Sequence, residues 1–331
     1  MSLSYCIFEE LILCTYIITS SVLSIVKGLL AGERRALARA ISIVDNDEPE
    51  SREIIKQIFT KTATNNNIRT VGFTGPGGAG KSSLIGKLIP ECQAIGYKIA
   101  VLAVDPTSPI TGGAILGDRI RMRGNLDNEK VFMRSMASRG AMGGVSRSLR
   151  NVIRILAVAG YNLVLVESVG AGQLEIEISK VVDLTVVLFT PHTGDNVQAV
   201  KAGLTEIGDI YVVNKADLEG ATTLYQTILD LIGDTNRKPA VLKTSAKTGK
   251  GMGELAKTID KSLKEKSINY RTQERKMLED ELTDMVLNIV EKKVSSTLAQ
   301  DRKYSEFIDR LVRKEIDPFM AAEQLAATLL R

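Results

Sequence analysis

The apolar positions of this chain change their spacing from one end to the other, and the changes divide it into regions. Leu11 to Val26 is a nearly unbroken apolar run carrying Ser and Thr. It falls short of the ~20 residues that span a bilayer. Glu9 and Glu10 stand where a secretory leader carries positive charge, and no small-residue cleavage site follows. The expectation is a helix packed on the body of the protein, or a start placed upstream of the natural one, with no membrane contact by residues 11–26. From Gly32 to Ile41 the spacing becomes helical, with Leu37, Ile41 and Val44 on one face and arginines opposite. Asp45-Asn46-Asp47 closes that helix, and Glu50 to Thr62 predicts a second. Asn65-Asn66-Asn67 marks a loop.

Between Ile68 and Leu242, strand-like and helical stretches alternate. The strand candidates are Thr70–Thr74, Ile99–Val104, Val131–Met133, Leu163–Val166, Leu184–Phe189, Ile210–Val213 and Ala240–Leu242. Several are continuous apolar runs without alternation, as strands buried on both faces are. This order predicts an α/β fold: a mostly parallel sheet covered by helices, with ligands gathered beyond the carboxyl ends of the strands. After Ser262 the pattern changes again. Leu278, Leu282, Met285 and Ile289 keep helical spacing across a charged background, and Asp317-Pro318 reads as an N-cap followed by proline at the first helical position. These apolar faces either cover the α/β core or pair with a second copy.

Composition narrows the chemistry. Lys+Arg total 43 against Asp+Glu 39, a net charge of +4, so bulk electrostatics do not point to nucleic acid. Cys6, Cys14 and Cys92 make neither a metal-like pair nor a disulfide framework, which fits a reducing cytoplasm. With His192 as the single histidine, a protein-bound zinc or nickel site lacks ligands.

One stretch carries the strongest signal. Gly75-Pro76-Gly77-Gly78-Ala79-Gly80-Lys81-Ser82 satisfies G-x-x-x-x-G-K-[ST], with a strand before it and helical spacing from Ser83 onward. Such a loop turns backbone N–H groups inward on a polyphosphate, and the helix that follows adds the positive end of its dipole. Lys81 is positioned to neutralise the β- and γ-phosphates, and the Ser82 hydroxyl to ligate Mg²⁺. Further along, Asn214-Lys215-Ala216-Asp217 matches the N-K-x-D element. An ionised Asp217 accepts both the N1–H and the 2-amino group of guanine, whereas adenine presents an unprotonated N1 there, so GTP/GDP is expected over ATP. Ser245-Ala246-Lys247, after the next strand, stands where a base-contacting loop belongs.

Acidic residues at strand ends complete the candidate site. Asp105 ends the second strand, Asp118 follows in Gly117-Asp118-Arg119, and Glu167 ends the fourth, where D-x-x-G is the usual element. Each offers Mg²⁺ an oxygen ligand. Ala171 follows Gly170 where a water-orienting glutamine or histidine often stands, which predicts slow intrinsic hydrolysis. Arg147, Arg150 and Arg154 fall on one helical face, read as solvated. Arg139, among glycines, is the better candidate for a phosphate or partner contact.

Together these residues resemble one family, the metallochaperone GTPases associated with methylmalonyl-CoA mutase, also described as lysine/arginine/ornithine transport ATPases. The resemblance runs from about Val22 to the end. It rests on Gly32–Ala40, the G-P-x-G-x-G-K-S loop, V-D-P-T-S-P, I-L-G-D-R-x-R-M and R-S-M-A-S-R-G. E-S-V-G-x-G-Q, T-G-D-N-V-Q, V-N-K-A-D and D-P-F-x-A-A extend it. It implies a P-loop NTPase G domain over residues 67–264, an N-terminal helical extension over 1–66 with 1–21 unassigned, and a homodimerising helical region over 265–331. It also implies a third switch loop from Thr193 to Lys201, with Asp195 and Lys201 as its polar members, Lys201 joining Lys81, Asp105 and Glu167 in catalysis. Ala141 and Asn196 depart from the family's usual histidine and glutamate. The implied function is a GTP-hydrolysing chaperone gating a cobalamin-dependent acyl-CoA mutase. The alternative is a P-loop kinase acting on an amino-acid transport component.

Overall fold

A computed structural model of the chain describes residues 20–62, 68–105, 131–137, 144–168, 173–191, 204–233, 239–268, 270–300 and 302–329. The chain forms two compact units, one running up to Asn269 and one from Tyr270 on.

The first unit is built on seven strands: β1 (Arg69–Thr74), β2 (Ile99–Asp105), β3 (Val131–Ala137), β4 (Leu163–Ser168), β5 (Leu184–Phe189), β6 (Ile210–Val213) and β7 (Ala240–Lys243). They form one sheet in the order β3-β2-β4-β1-β5-β6-β7, every pairing parallel. All seven sequence expectations are met, and β3 runs on through Arg134 and Ser135 because it is an edge strand that tolerates polar positions.

Helices cover both faces. Residues 20–30 form α1, followed by α2 (Arg34–Asp45), α3 (Ser51–Thr62), α4 (Lys81–Ala94), α5 (Gly144–Val158) and α6 (Gln173–Ser179). Then come the single turn α7 (Leu204–Ile207), α8 (Ala221–Ile232) and α9 (Met252–Ser267). The continuous apolar strands split by period two: Val164 and Val166 join a cluster with α1, α2, α3, α5 and α6, while Leu163 and Leu165 join α4 and α9 on the other face. A third cluster packs α8 against Val187, Phe189, Tyr211 and Val213.

The amino-terminal helices belong to this core. Val22, Val26 and Leu29 of α1 are buried at helical spacing, each contributing about 1.5–3 kcal/mol. Leu37, Ile41 and Val44 of α2 are buried as expected, and the Asp45 end is tied to α5 by the Ser148 hydroxyl at 3.2 Å. No helix among the described residues is long and apolar enough to cross a membrane.

The arginine face of α5 is the one expectation here that needs correcting. Arg150 is buried, Arg147 and Arg154 are half-buried, and Arg154 lies over the Phe59 ring at 5.4 Å from its centroid. Because α2 and α3 pack over α5, Arg150 is withdrawn from solvent and Arg147 and Arg154 are only partly exposed, so this face is not a fully solvated one.

The second unit contains α10 (Tyr270–Gln300), α11 (Arg302–Val312) and α12 (Pro318–Leu329). The Asp317 carboxylate accepts hydrogen bonds from the N–H groups of Phe319 (2.8 Å) and Met320 (3.0 Å), the cap that the sequence announces. Along α10, Leu278, Leu282, Met285 and Ile289 are all exposed, Leu282 and Ile289 by 60% or more.

Candidate nucleotide site

The register of the sheet assembles the site. Glu167 pairs with Phe73 of β1 and with Ala103 of β2, so the ends of β1, β2 and β4 lie side by side. From those ends project the phosphate loop, Asp105 and Glu167, the last two only 3% and 2% exposed. The Ser168 hydroxyl donates towards the Phe73 carbonyl (3.3 Å) and the Thr74 hydroxyl (3.2 Å), binding β4 to the residue from which the loop departs.

Two glycines fix the loop's course. Gly75 adopts φ +140°, and a Cβ there would collide with the Leu188 carbonyl oxygen of β5. Gly80 adopts φ +86° at the N-cap of α4, where a Cβ would stand 2.6 Å from Asn214 Nδ2. Both conformation and contact therefore exclude other residues. Lys81, the first residue of α4, is buried and folds back to donate to the Gly75 carbonyl at 2.6 Å and the Pro76 carbonyl at 3.2 Å. Its neighbour Ser82 donates its hydroxyl to Glu167 Oε1 at 2.5 Å. Ser83 is exposed, and Ala79 is buried.

The second half of the site approaches the same loop from β6. Asn214 does not face outward; it is 1% exposed and its Nδ2 donates to the Ala79 carbonyl at 2.9 Å. Its Oδ1 accepts from the Thr244 hydroxyl and the Ala246 N–H, both at 3.3 Å. Lys215 donates to the Gly78 carbonyl at 2.9 Å from a left-handed backbone, φ +55°. Asp217 is exposed and accepts the Ser245 hydroxyl at 2.5 Å. That bond, with Lys247 and Lys215 nearby, holds its carboxyl below the ordinary range. Asn214, Lys215, Asp217, Ser245, Ala246 and Lys247 thus form one assembly braced on the phosphate loop.

The chain matches, over residues 37–302, the sequence profile of the family described as methylmalonyl-CoA mutase-associated GTPase MeaB. It belongs to that family. A putative GTPase of Pyrococcus abyssi is 42% identical over 315 residues, spanning 92% of this chain and 96% of the relative. The GTPase ArgK of Escherichia coli is 36% identical over 243 residues, 70% of this chain and 72% of the relative. A crystal structure of a LAO/AO transport system kinase superposes with a TM-score of 0.67 at 24% identity, covering 94% of this chain and 98% of that one, which establishes the shared fold.

In this MeaB-family chain, Asp118, Lys201, Asp195, Arg139, Gly170, Ala141 and Asn196 lie outside the described residues. The oxygen donors that are described, from Ser82, Glu167 and Asp105, are of the hard type that Mg²⁺ takes. Among the described residues no three Asp, Glu, His or Cys side chains converge as a self-sufficient metal cage. That is compatible with Mg²⁺, which shares its shell with phosphate oxygens and water.

Glu175 on α6 was not among the expected site residues. It is 5% exposed, and burial pushes its carboxyl up against the lowering influence of Lys81, the Thr74 hydroxyl and the Gly75 N–H. The sequence offered one weak signal for it, its position shortly after E-S-V-G.

Proposed function

We propose that this GTPase binds GTP along the carboxyl edge of its sheet, hydrolyses it with Mg²⁺, and uses the nucleotide state to gate a cobalamin-dependent acyl-CoA mutase of the methylmalonyl-CoA mutase type. The observation that carries the nucleotide half of this reading is the bracing of the N-K-x-D residues on the phosphate loop. Asn214 and Lys215 bond to the Ala79 and Gly78 carbonyls, so a base at Asp217 and phosphates at Lys81 fall on one ligand. Asp217 accepts the guanine N1–H and amino group; Lys81 and the loop N–H groups neutralise phosphate charge. Ser82, Asp105 and Glu167, with Asp118, would hold Mg²⁺, which when bound supplies further charge neutralisation on the β- and γ-phosphates. Water attacks the γ-phosphorus, the bond to the bridging oxygen breaks, and GDP and phosphate leave. Lys201 is proposed to act with these groups in the transition state.

The mutase half rests on the family's description, which names a methylmalonyl-CoA mutase. We infer further that the chain is a homodimer through the helices from Tyr270 on. The exposed apolar side chains Leu282, Leu287 and Ile289 of α10 support this, since exposed apolar surface of that kind marks association sites. A dimer offers two copies of the nucleotide site to a symmetric partner. One sedimentation experiment tests both. The chain is run alone and with a methylmalonyl-CoA mutase, in GDP and in a non-hydrolysable GTP analogue. The expected result is a dimer whose mutase affinity differs between nucleotides, because only a differential affinity shifts an equilibrium. A monomer at micromolar concentration removes the dimer, and equal affinities remove gating.

A further inference from the structure

Strand β4 ends on two polar residues after an apolar run, and each is tied to a different part of the phosphate-loop unit. Glu167 shares the sheet face of Leu163 and Leu165, the side covered by α4, and its Oε1 accepts the Ser82 hydroxyl at 2.5 Å. Ser168 shares the opposite face with Val164 and Val166. Its hydroxyl donates towards the Thr74 hydroxyl at 3.2 Å and the Phe73 carbonyl at 3.3 Å. Both hydroxyl residues are withdrawn from solvent, Ser168 at 0% and Thr74 at 1% exposed. A buried hydroxyl costs free energy unless it is hydrogen-bonded, a cost that an apolar side chain does not incur. The backbone pairing shows what the two hydroxyls add. The ladder between β1 and β4 stops at Phe73 and Glu167, while Thr74 pairs with Val187 of β5 and Ser168 with Val104 of β2. The sheet therefore parts between Thr74 and Ser168. The hydroxyl bond spans that opening, one residue beyond Glu167 and one before Gly75.

We propose that Ser168 is a positioning residue for the metal side of the site: its bridge to Thr74 keeps the end of β4 against the phosphate loop, so that the Glu167 carboxylate stays in reach of Ser82. This rests on the reading of Ser82 and Glu167 as Mg²⁺-holding residues. Ser168, buried on the other face of the strand, acts only through Glu167. Without the bridge the two strand ends are free to separate, and Glu167 must then be ordered at the moment the metal binds. Support of this kind for a metal-holding group is worth about 10–100-fold in metal affinity. Asp217 and Lys81 are held by other bonds, from Ser245 and to Gly75, and do not depend on the bridge.

The test is calorimetric titration of the full chain with a non-hydrolysable GTP analogue, in EDTA and at graded Mg²⁺. Ser168→Ala is expected to bind the analogue in EDTA as the wild type does, within about twofold. It is expected to need about tenfold more Mg²⁺ to reach half of the metal-dependent gain in affinity. Ser168→Thr, which keeps the hydroxyl, is expected to restore the wild-type midpoint. Thr74→Val removes the other end of the bridge and is expected to shift the midpoint in the same direction. Because the two residues act as one bridge, the double variant is expected to be no worse than Ser168→Ala. A merely structural serine would lower the Tm and leave the Mg²⁺ midpoint unmoved. A midpoint unchanged within about twofold in folded Ser168→Ala overturns the proposal, as does a double variant whose shift is the product of the single ones. Thr74→Val stands in if Ser168→Ala does not fold; if neither folds, the bridge serves the fold and the positioning role falls. The reading beneath fails separately. If the wild type binds the analogue equally with and without Mg²⁺, or Ser82→Ala leaves the midpoint in place, Ser82 and Glu167 do not hold the metal, and the proposal falls with them.

Discussion

The two ends of the sheet both bury charge, and they use it differently. At the amino ends, Asp183 is half-buried and accepts from the Thr70 N–H and hydroxyl at 2.8 and 2.9 Å. Asp209 accepts the Thr185 N–H at 2.9 Å and pairs with Lys266 at 2.7 Å, while Lys266 also donates to the Asp183 carbonyl at 2.7 Å. These bonds stitch β1 to β5, β5 to β6, and α9 to both. At the carboxyl ends, Lys81, Asp105, Glu167 and Glu175 are more deeply buried. There the bonds run instead within and around one loop: Lys81 to Gly75, Ser82 to Glu167, Asn214 to Ala79. Burial raises the carboxyl of Asp183 just as it raises that of Glu175. A perturbed carboxylate therefore does not mark a site by itself. What separates the ends is convergence on a glycine-rich loop at a helix start, against dispersal along strand edges.

Substitutions can break this contrast, and the largest effect is expected at Lys81. Lys81→Ala should lower GTP hydrolysis by roughly 10²–10³-fold, as loss of a single preorganised charge-stabilising group does. Phosphate release in single-turnover assays measures it, and an undiminished rate would place the chemistry elsewhere. Next in size, Asp183→Ala should cost about 1–3 kcal/mol of stability by leaving the Thr70 donors unmet, while GDP affinity stays within twofold. Thermal unfolding and calorimetry read the two quantities. A large loss of GDP affinity in a folded protein would erase the distinction between the ends. The smallest effect belongs to Ser245→Ala, which removes the bond that chiefly holds the Asp217 carboxyl down. Guanine binding needs the ionised form, so it is present above the Asp217 pKa and lost as pH falls through it. Wild-type GDP affinity should persist into acid, and the variant should lose it at a higher pH. At neutral pH the variant should be about threefold to tenfold weaker. Coincident pH profiles would show that Ser245 does not tune Asp217.

The sequence announced the sheet because its strands are buried on both faces, so Ile99–Val104 and Leu163–Val166 read as unbroken apolar runs. The loop and N-K-x-D were legible because backbone geometry and guanine's donors leave few residue choices. Glu175 was not. In Gln173–Ser179 the residues Leu174, Glu175, Ile176, Glu177 and Ile178 alternate with the period of a strand. The segment folds as a short helix that buries Leu174, Glu175 and Ile178 and exposes Ile176 by 42%. Packing of α6 against α5, β4 and β1 overrode the local pattern there. Arg150 was misread for a related reason: residue type suggested solvent, but α2 and α3 lie over that side of α5.

Gly75 has a consequence for descent. Its backbone conformation and the Leu188 carbonyl beside it forbid any side chain, whatever the loop binds. A duplicated gene that had lost every catalytic duty would still be purged of missense changes at that codon for as long as its product had to fold. Glycine at this position in a diverged copy is therefore a record of the fold's survival. Loss of the lysine at the position of Lys81, in a copy that kept the glycine, would be the mark of a lineage that had kept the architecture and abandoned the chemistry.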